Sequence, residues 1–196
     1  MPTRIAINGF GRIGRHAFKI AFEKPELEIV AINDLGSLEV MAHLLQYDTA
    51  YGHYHRTVSV EGDHLVVDGK KIQFVSIKEP EKLPWKDLQI DVVLESTGRY
   101  TKDGAARVHL TAGAKRVIVS APTKGGDVQT YLLGVNNEDN KGDDVISNAS
   151  CTTNCVAPVT KVMMAEFGVA KAGMTTIHSY TAEQNLVDGP APPLHP

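Results

Sequence analysis

A cysteine flanked by hydroxyls and amides lies in the run Ser147-Asn148-Ala149-Ser150-Cys151-Thr152-Thr153-Asn154-Cys155. It stands where an apolar strand, Asp144 to Ser147, gives way to a helical pattern starting near Cys151. A helix N-terminus carries backbone N–H groups without helical partners and the positive end of the macrodipole. A thiol there is biased toward thiolate, and an anion or a developing oxyanion can be held beside it. The run therefore reads as a nucleophile next to an anion site, with its target to be supplied by the rest of the chain. The bland alternative for Cys151 is a packed small hydrophobe. Cys155, one helical turn further on, reads as a core residue, since a bridge between the two would require the helix to fray.

A second cluster is Gly9-Phe10-Gly11-Arg12-Ile13-Gly14. Glycine triplets also occur in ordinary turns, so the pattern gains meaning from its surroundings. A short apolar strand, Arg4 to Asn8, precedes it and a helical pattern follows. Asp34 closes the next apolar run 20 residues after Gly14. That is the dinucleotide fingerprint: glycines for the tight turn and close backbone approach, a helix start facing the pyrophosphate, a carboxylate for the ribose hydroxyls. Asp34 repels a 2′-phosphate and Leu35 offers no cation, so NAD is expected rather than NADP.

His178, in His178-Ser179-Tyr180-Thr181, completes the set. Strand ends of an α/β protein gather functional side chains, and a thiol needs a base to activate it. Of the eight histidines, it alone follows the thiol at a strand end before the proline-rich tail; the ordinary alternative is a surface or satisfied core residue. No metal site is expected, because two cysteines four residues apart match neither a common zinc spacing nor a disulfide framework.

These residues need elements to hold them. The chain has 196 residues, 42% hydrophobic and 22% charged, which is globular composition with room for one domain and part of another. A net charge of -3 with scattered Lys and Arg argues against nucleic acid or an anionic membrane surface as partner. No apolar run approaches a membrane span, and there is no signal-like leader, so a reduced, cytoplasmic protein is expected. Continuous apolar runs at Arg4–Asn8, Leu27–Asn33, Ile90–Glu95, Arg116–Ser120, Tyr131–Val135 and Val145–Ile146 predict strands covered on both faces. Helices are predicted after the glycine motif (with Ile13, Ala17, Ile20 and Ala21 on its apolar face), from Ser37, and from about Lys102 to Ala112. The segment Thr57–Val75 predicts a strand-rich excursion with a hairpin at Asp68-Gly69. The whole is an α/β, doubly wound Rossmann-type parallel sheet with a β-hairpin excursion over residues 1–150. An incomplete second domain over 151–196 follows, with a helix, a strand from Met174 to Tyr180 and the proline-rich stretch Gly189–Pro196.

Together these landmarks resemble the phosphorylating glyceraldehyde-3-phosphate dehydrogenases. Ile7–Arg15, Ile32–Leu35, Glu95-Ser96-Thr97-Gly98, Ser120-Ala121-Pro122, the Ser147–Cys155 run and His178–Thr181 carry the resemblance, which spans essentially the whole chain. It implies an NAD-dependent oxidation of glyceraldehyde 3-phosphate to 1,3-bisphosphoglycerate in glycolysis. Cys151 would add to the aldehyde to give a hemithioacetal and then a thioester that inorganic phosphate opens. His178 would activate the thiol and serve as base. The resemblance assigns Asn8, Gly9, Gly11, Arg12, Ile13, Gly14, Asp34, Lys78, Thr97 and Ser120 to the cofactor. Ser150 and Thr152 would bind the attacking phosphate and Thr181 the substrate phosphate. A cytoplasmic homotetramer is implied for the complete enzyme.

The departures from the family carry their own expectation. Downstream arginines, a nicotinamide-positioning asparagine and a closing C-terminal helix lie beyond residue 196 in the family, and Pro196 stands where a lysine or arginine is usual. Two functions are therefore open: the phosphorylating dehydrogenase itself, or an NAD-binding fragment with little or no catalysis. Apolar helix residues such as Val159, Val162 and Met163 are expected to be exposed in the chain as it stands.

Overall fold

Alternation in the first strands decides how the sheet is covered. In the computed structural model, which describes residues 1–180, β1 (Thr3–Asn8), α1 (Arg12–Phe22) and β2 (Leu27–Asn33) make the opening βαβ unit. β1 sends Ile5 and Ile7 to one face of the sheet and Ala6 to the other. β2 runs parallel to β1, but its register slips by one residue between Ile5 and Ala6, so Ile5 faces Ile29 while Ala6 faces Ala31. That bulge puts Ile29 and Ile32 on the same face as Ile5 and Ile7. Phe18 and Ala21 of α1 cover this face, with Leu38, Ala42 and Leu45 of α2 (Leu38–Gln46). The opposite face packs Ala6, Ala31, Val93, Val117 and Val119 against Leu83, Trp85, Ala106 and Ala112.

The remaining strands are β3 (Tyr47–Asp48), β4 (Gly52–His53), β5 (Val58–Glu61), β6 (His64–Val67), β7 (Lys70–Val75), β8 (Val92–Glu95), β9 (Arg116–Val119), β10 (Gln129–Thr130) and β11 (Val145–Ser147). Nine of the strands in the described residues form one sheet in the order β10-β11-β9-β8-β1-β2-β7-β6-β5. Every pair from β10 to β7 in that order is parallel. The expected hairpin forms at Asp68-Gly69, both with positive φ. It is an extension of the sheet rather than a detached excursion, because β7 pairs directly with β2. The chain passes from β1 outward through β2 to β7, then crosses back to β8 on the other side of β1. The crevice of such a fold lies at that switch point, above the carboxyl ends of β1 and β8.

Several local expectations are corrected. The predicted strand Tyr131–Val135 is a turn: the Asn136 side chain accepts the Leu132 N–H at 2.9 Å and donates to the Thr130 carbonyl at 3.0 Å. Gly134 takes a left-handed φ of 74° and its N–H bonds the Asn137 side chain. Side-chain amides here compete successfully with a ladder. The predicted helix Lys102–Ala112 starts late, as a 3₁₀ turn at Ala105–Arg107 running into α3 (Val108–Thr111). Asp103 and Gly104 both have positive φ, and the Asp103 N–H bonds the Lys124 carbonyl, which holds the preceding residues extended. In α1 the buried residues are Gly14, Arg15, Phe18 and Ala21, whereas Ile13 and Ile20 are exposed. The tight seat of Gly14 on the Gly9 carbonyl sets that rotation.

The chain divides into one unit of Met1–Lys161 and a second that begins at Val162. α4 (Cys151–Phe167) starts in the first unit and runs past its end. It contains Pro158 and buries none of its residues, so Cys155 is exposed rather than packed, and Val159, Val162 and Met163 are exposed as expected. Residues 168–180 form neither helix nor strand. The predicted strand Met174–Tyr180 is therefore not made; an extended segment without a ladder partner has nowhere to place its backbone groups. The expectations for Thr181 and for the stretch Gly189–Pro196 lie outside the described residues. No helix among the described residues is long and apolar enough to cross a membrane.

Candidate functional site

The carboxyl ends of β1, β2 and β8 enclose a cleft of about 260 Å³. Asn8, Gly9, Gly11, Asn33, Asp34, Leu35, Lys78, Ser96, Thr97 and Tyr100 are among its lining residues. Gly9 is required at its base on two grounds. Its φ is +92°, and a Cβ there would stand 2.7 Å from the Ser96 carbonyl carbon and 2.7 Å from the Thr97 nitrogen. Gly14 is required by packing: an added Cβ would overlap the Gly9 carbonyl oxygen and come within 3.2 Å of the Ile7 side chain. Gly11 differs, with open space around it, and serves as the extended residue that starts α1. The first N–H groups of that helix precede any carbonyl they could reach within it, which leaves them for an anion at the mouth of the cleft.

Asp34 is placed at the rim by the end of β2. Its carboxylate accepts the Phe10 N–H at 2.6 Å through one oxygen and the Gly36 N–H at 2.9 Å through the other. The same side chain that could receive ribose hydroxyls thus also ties the glycine loop to the neighbouring strand. Arg15 reinforces the loop from beneath, donating to the Phe10 carbonyl at 2.7 Å. Arg12 and Ile13 sit at the helix start, but their side chains do not line the cleft. The Arg12 guanidinium bonds Asp48 at 3.0 Å and Ile13 faces solvent. What these two positions offer a ligand is backbone.

The cleft floor is a buried polar ladder. Asn33, Asn8 and Glu95 are in register across β2, β1 and β8. Asn33 donates to Asn8 at 2.7 Å, and Asn8 donates to Glu95 at 2.6 Å. His109 approaches Glu95 at 2.8 Å, and the Trp85 indole N–H points at His109 Nδ1 at 3.1 Å. An indole can only donate, so Nδ1 accepts and the ring hydrogen lies on Nε2, directed at Glu95. Glu95 also accepts the Thr97 N–H at 2.8 Å and the Thr97 hydroxyl. Of this set, sequence analysis singled out Asn8 and Thr97 and missed the roles of Asn33, Glu95, His109 and Trp85. A carboxylate ending a continuous apolar strand was the available signal.

Ser120 lies one strand further along the same edge, at the end of β9. Its hydroxyl contacts the Ser96 hydroxyl at 3.1 Å and donates to the Glu95 carbonyl at 3.3 Å. Beyond it, β11 leads through Ala149, at a positive φ of 59°, into α4. Ser150 caps that helix: its Oγ accepts the Thr153 N–H at 3.0 Å and contacts the Thr153 hydroxyl at 2.8 Å. Cys151 follows as the first helical residue, exposed and in no disulfide, with Thr152 half-buried beside it. Lys161 Nζ bonds the Gly134 and Val135 carbonyls and ties α4 to the loop after β10. His178 belongs to the second unit, in the stretch without regular structure. No group of three or more His, Cys, Asp or Glu among the described residues is arranged to hold a metal ion.

Comparison with known proteins matches the sequence to a family. A model described as "Glyceraldehyde 3-phosphate dehydrogenase, NAD binding domain" matches residues 3–103. One described as "Glyceraldehyde 3-phosphate dehydrogenase, C-terminal domain" matches residues 150–195. The chain is 50% identical over 192 residues to glyceraldehyde-3-phosphate dehydrogenase of Geobacillus stearothermophilus, covering 97% of this chain and 57% of the relative. It is 52% identical over 189 residues to the Clostridium pasteurianum enzyme, covering 96% and 56%. With the cytosolic enzyme of Trypanosoma brucei brucei it shares 47% over 191 residues, covering 97% and 57%. The chain thus spans a little over half the length of these relatives. With the fold, the cleft and these matches in agreement, the chain belongs to the glyceraldehyde-3-phosphate dehydrogenase family.

Proposed function

We propose that this chain binds NAD in the β1–β8 cleft and carries the nucleophile of a phosphorylating aldehyde dehydrogenase at the start of α4. The observation that carries the cofactor reading is Gly9 pressed against Thr97, with the Asp34 carboxylate on the rim beside it. The residues fit the group. A backbone free of side chains would meet the pyrophosphate, the start of α1 would face it through the Arg12 and Ile13 backbone, and Asp34 would take the adenosine ribose while disfavouring a 2′-phosphate. Lys78, Thr97 and Ser120 complete the contacts, with Gly11 and Gly14 shaping the turn. Residues 1–150 act as the cofactor domain and 151–196 as the start of the catalytic one.

In the chemistry we assign, His178 takes the proton of the Cys151 thiol. The thiolate adds to the aldehyde carbon of glyceraldehyde 3-phosphate: the C–S bond forms as the C=O π bond breaks, and the carbonyl oxygen takes the proton back from His178 to give a hemithioacetal. NAD, when bound, would supply the hydride acceptor for oxidation of this adduct to a thioester, and His178 takes the hydroxyl proton released in that step. Inorganic phosphate, held by Ser150 and Thr152, then attacks the acyl carbon and releases the Cys151 thiolate. Thr181 holds the phosphate already on the substrate. The complete enzyme acts in the cytoplasm as a homotetramer.

For the 196 residues themselves, the better supported reading is an NAD-binding chain with little turnover. His178 lies in a stretch with neither helix nor strand to fix it. A general base that is not held in place forfeits roughly a hundredfold or more in rate. NAD reduction with glyceraldehyde 3-phosphate and phosphate tests this. Turnover roughly a hundredfold below a full-length relative is expected; turnover within about tenfold of it contradicts the reading.

A further inference from the structure

Glu95 is 1% exposed, sits at the carboxyl end of β8, and has no function in the mechanism above. Each of its oxygens accepts two hydrogen bonds. Oε1 receives the Thr97 N–H and hydroxyl; Oε2 receives Asn8 Nδ2 at 2.6 Å and His109 Nε2 at 2.8 Å. The 3.4 Å between Asn8 Nδ2 and His109 Nε2 is the separation of two donors converging on one oxygen. Four donors match the lone-pair sites of an ionised carboxylate, and none of them can be satisfied by a donor in its place.

The connections run outward to both walls of the cleft. Through Asn8 the ladder reaches Asn33, which exchanges hydrogen bonds with the Ile77 backbone beside Lys78. Through Thr97 it fixes the turn after β8, whose Thr97 hydroxyl in turn accepts the Arg99 N–H at 3.1 Å. That turn presents the backbone against which Gly9 is pressed. From the other side the ladder is anchored by His109, fully buried, and by the Trp85 indole.

We propose that Glu95 is a positioning residue for the dinucleotide cleft: its carboxylate fixes Asn8 and the Thr97 turn relative to one another and so sets nucleotide affinity without touching the ligand. The inference rests on the NAD reading above. Glu95→Gln keeps the volume but not the acceptors. In one amide orientation its NH2 faces Asn8 and His109, and in the other it faces the Thr97 N–H. Either way buried donors are left unpaired. His109→Gln preserves a donor toward Glu95 and an acceptor toward Trp85, whereas His109→Leu preserves neither.

The test measures NAD and AMP affinities by calorimetry, alongside residue-level amide exchange, for the unaltered chain and the three variants. Glu95→Gln is expected to weaken both nucleotides by roughly tenfold or more. It should speed exchange at Gly9 and Thr97 by a similar factor while leaving Leu65 and Val66, in β6, unchanged. His109→Leu should follow it in part, and His109→Gln should stay within about threefold of the parent. Affinity within about twofold in Glu95→Gln overturns the inference, as does faster exchange spread evenly over the sheet, which marks a purely structural role. If Glu95→Gln does not fold, the contrast between His109→Leu and His109→Gln decides: equal affinities overturn the inference. A parent chain that binds neither nucleotide sinks the cofactor reading and the affinity half with it. The exchange arm needs no nucleotide and then judges the wall-fixing half alone.

Discussion

Asp34 Oδ2 accepts the backbone N–H of Phe10 at 2.6 Å, across 24 residues of sequence. The carboxylate at the end of β2 is therefore part of the glycine loop's own structure as well as a lining group of the cleft. Asp34→Asn can accept through only one oxygen, so either Phe10 or Gly36 loses its partner. The expected cost is about 1–2 kcal/mol of stability, read as a fall in Tm. NAD affinity should drop roughly tenfold, and the preference for NAD over NADP should narrow because the repelling charge is gone. Unchanged discrimination between the two nucleotides would count against Asp34 facing the ribose.

Gly14 supports a second prediction. A methyl group there meets the Gly9 carbonyl and the Ile7 side chain, so α1 must move off the sheet to admit it. Gly14→Ala should lose about 2–4 kcal/mol in denaturant unfolding and weaken NAD along with it. Gly11→Ala, with open space around it, should cost less than about 1 kcal/mol. Similar losses for the two variants would contradict the packing described here.

Asp48 gives a pH dependence. Burial pushes its carboxyl up, but the Tyr51 and Ala50 N–H groups and the Arg12 guanidinium outweigh burial and hold it at about 2. A carboxyl depressed in the folded state stabilises above its ordinary value of 3.8 and loses that contribution as pH falls toward 2. Asp48→Asn should therefore lower stability by about 1 kcal/mol at neutral pH, with the gap from the parent closing between pH 4 and pH 2. A gap that persists at the acid end would point to packing instead of charge.

The exposed apolar residues of α4 bear on behaviour in solution. Met163 and Phe167 lie one turn apart on the helix and are 45% and 77% exposed; Val159 is 61% exposed. Exposed apolar side chains of this size favour association. Sedimentation should show self-association that rises with concentration and falls in a Val159→Lys, Met163→Lys double variant. A monodisperse parent at high concentration would contradict this.

The sequence made the cofactor half of the fold readable because its signals are local. Gly9 to Gly14 lie within one turn, Asp34 ends an adjacent apolar run, and the Asp68-Gly69 hairpin is set by two residues. What stayed hidden depends on distant partners. Asn8 and Glu95 are 87 residues apart in sequence, and His109 meets Asn8 across 101. Their side chains acquire meaning only when β8 is placed beside β1. Apolar runs also misled where a neighbouring side chain decided the matter. Tyr131–Val135 has strand composition, yet Asn136 bonds its backbone into a turn. Ile13 has the spacing of a core residue, yet Gly14's close seat turns it to solvent.

Nucleotide binding to the 196-residue chain tests the central claim most directly. Calorimetric titration should give one NAD per chain, with NADP weaker by roughly tenfold or more. Gly9→Val should abolish binding, since its side chain would occupy the space now taken by the Ser96 and Thr97 backbone. Absence of NAD binding at millimolar concentration, or binding that survives Gly9→Val undiminished, would contradict a dinucleotide site in the β1–β8 cleft.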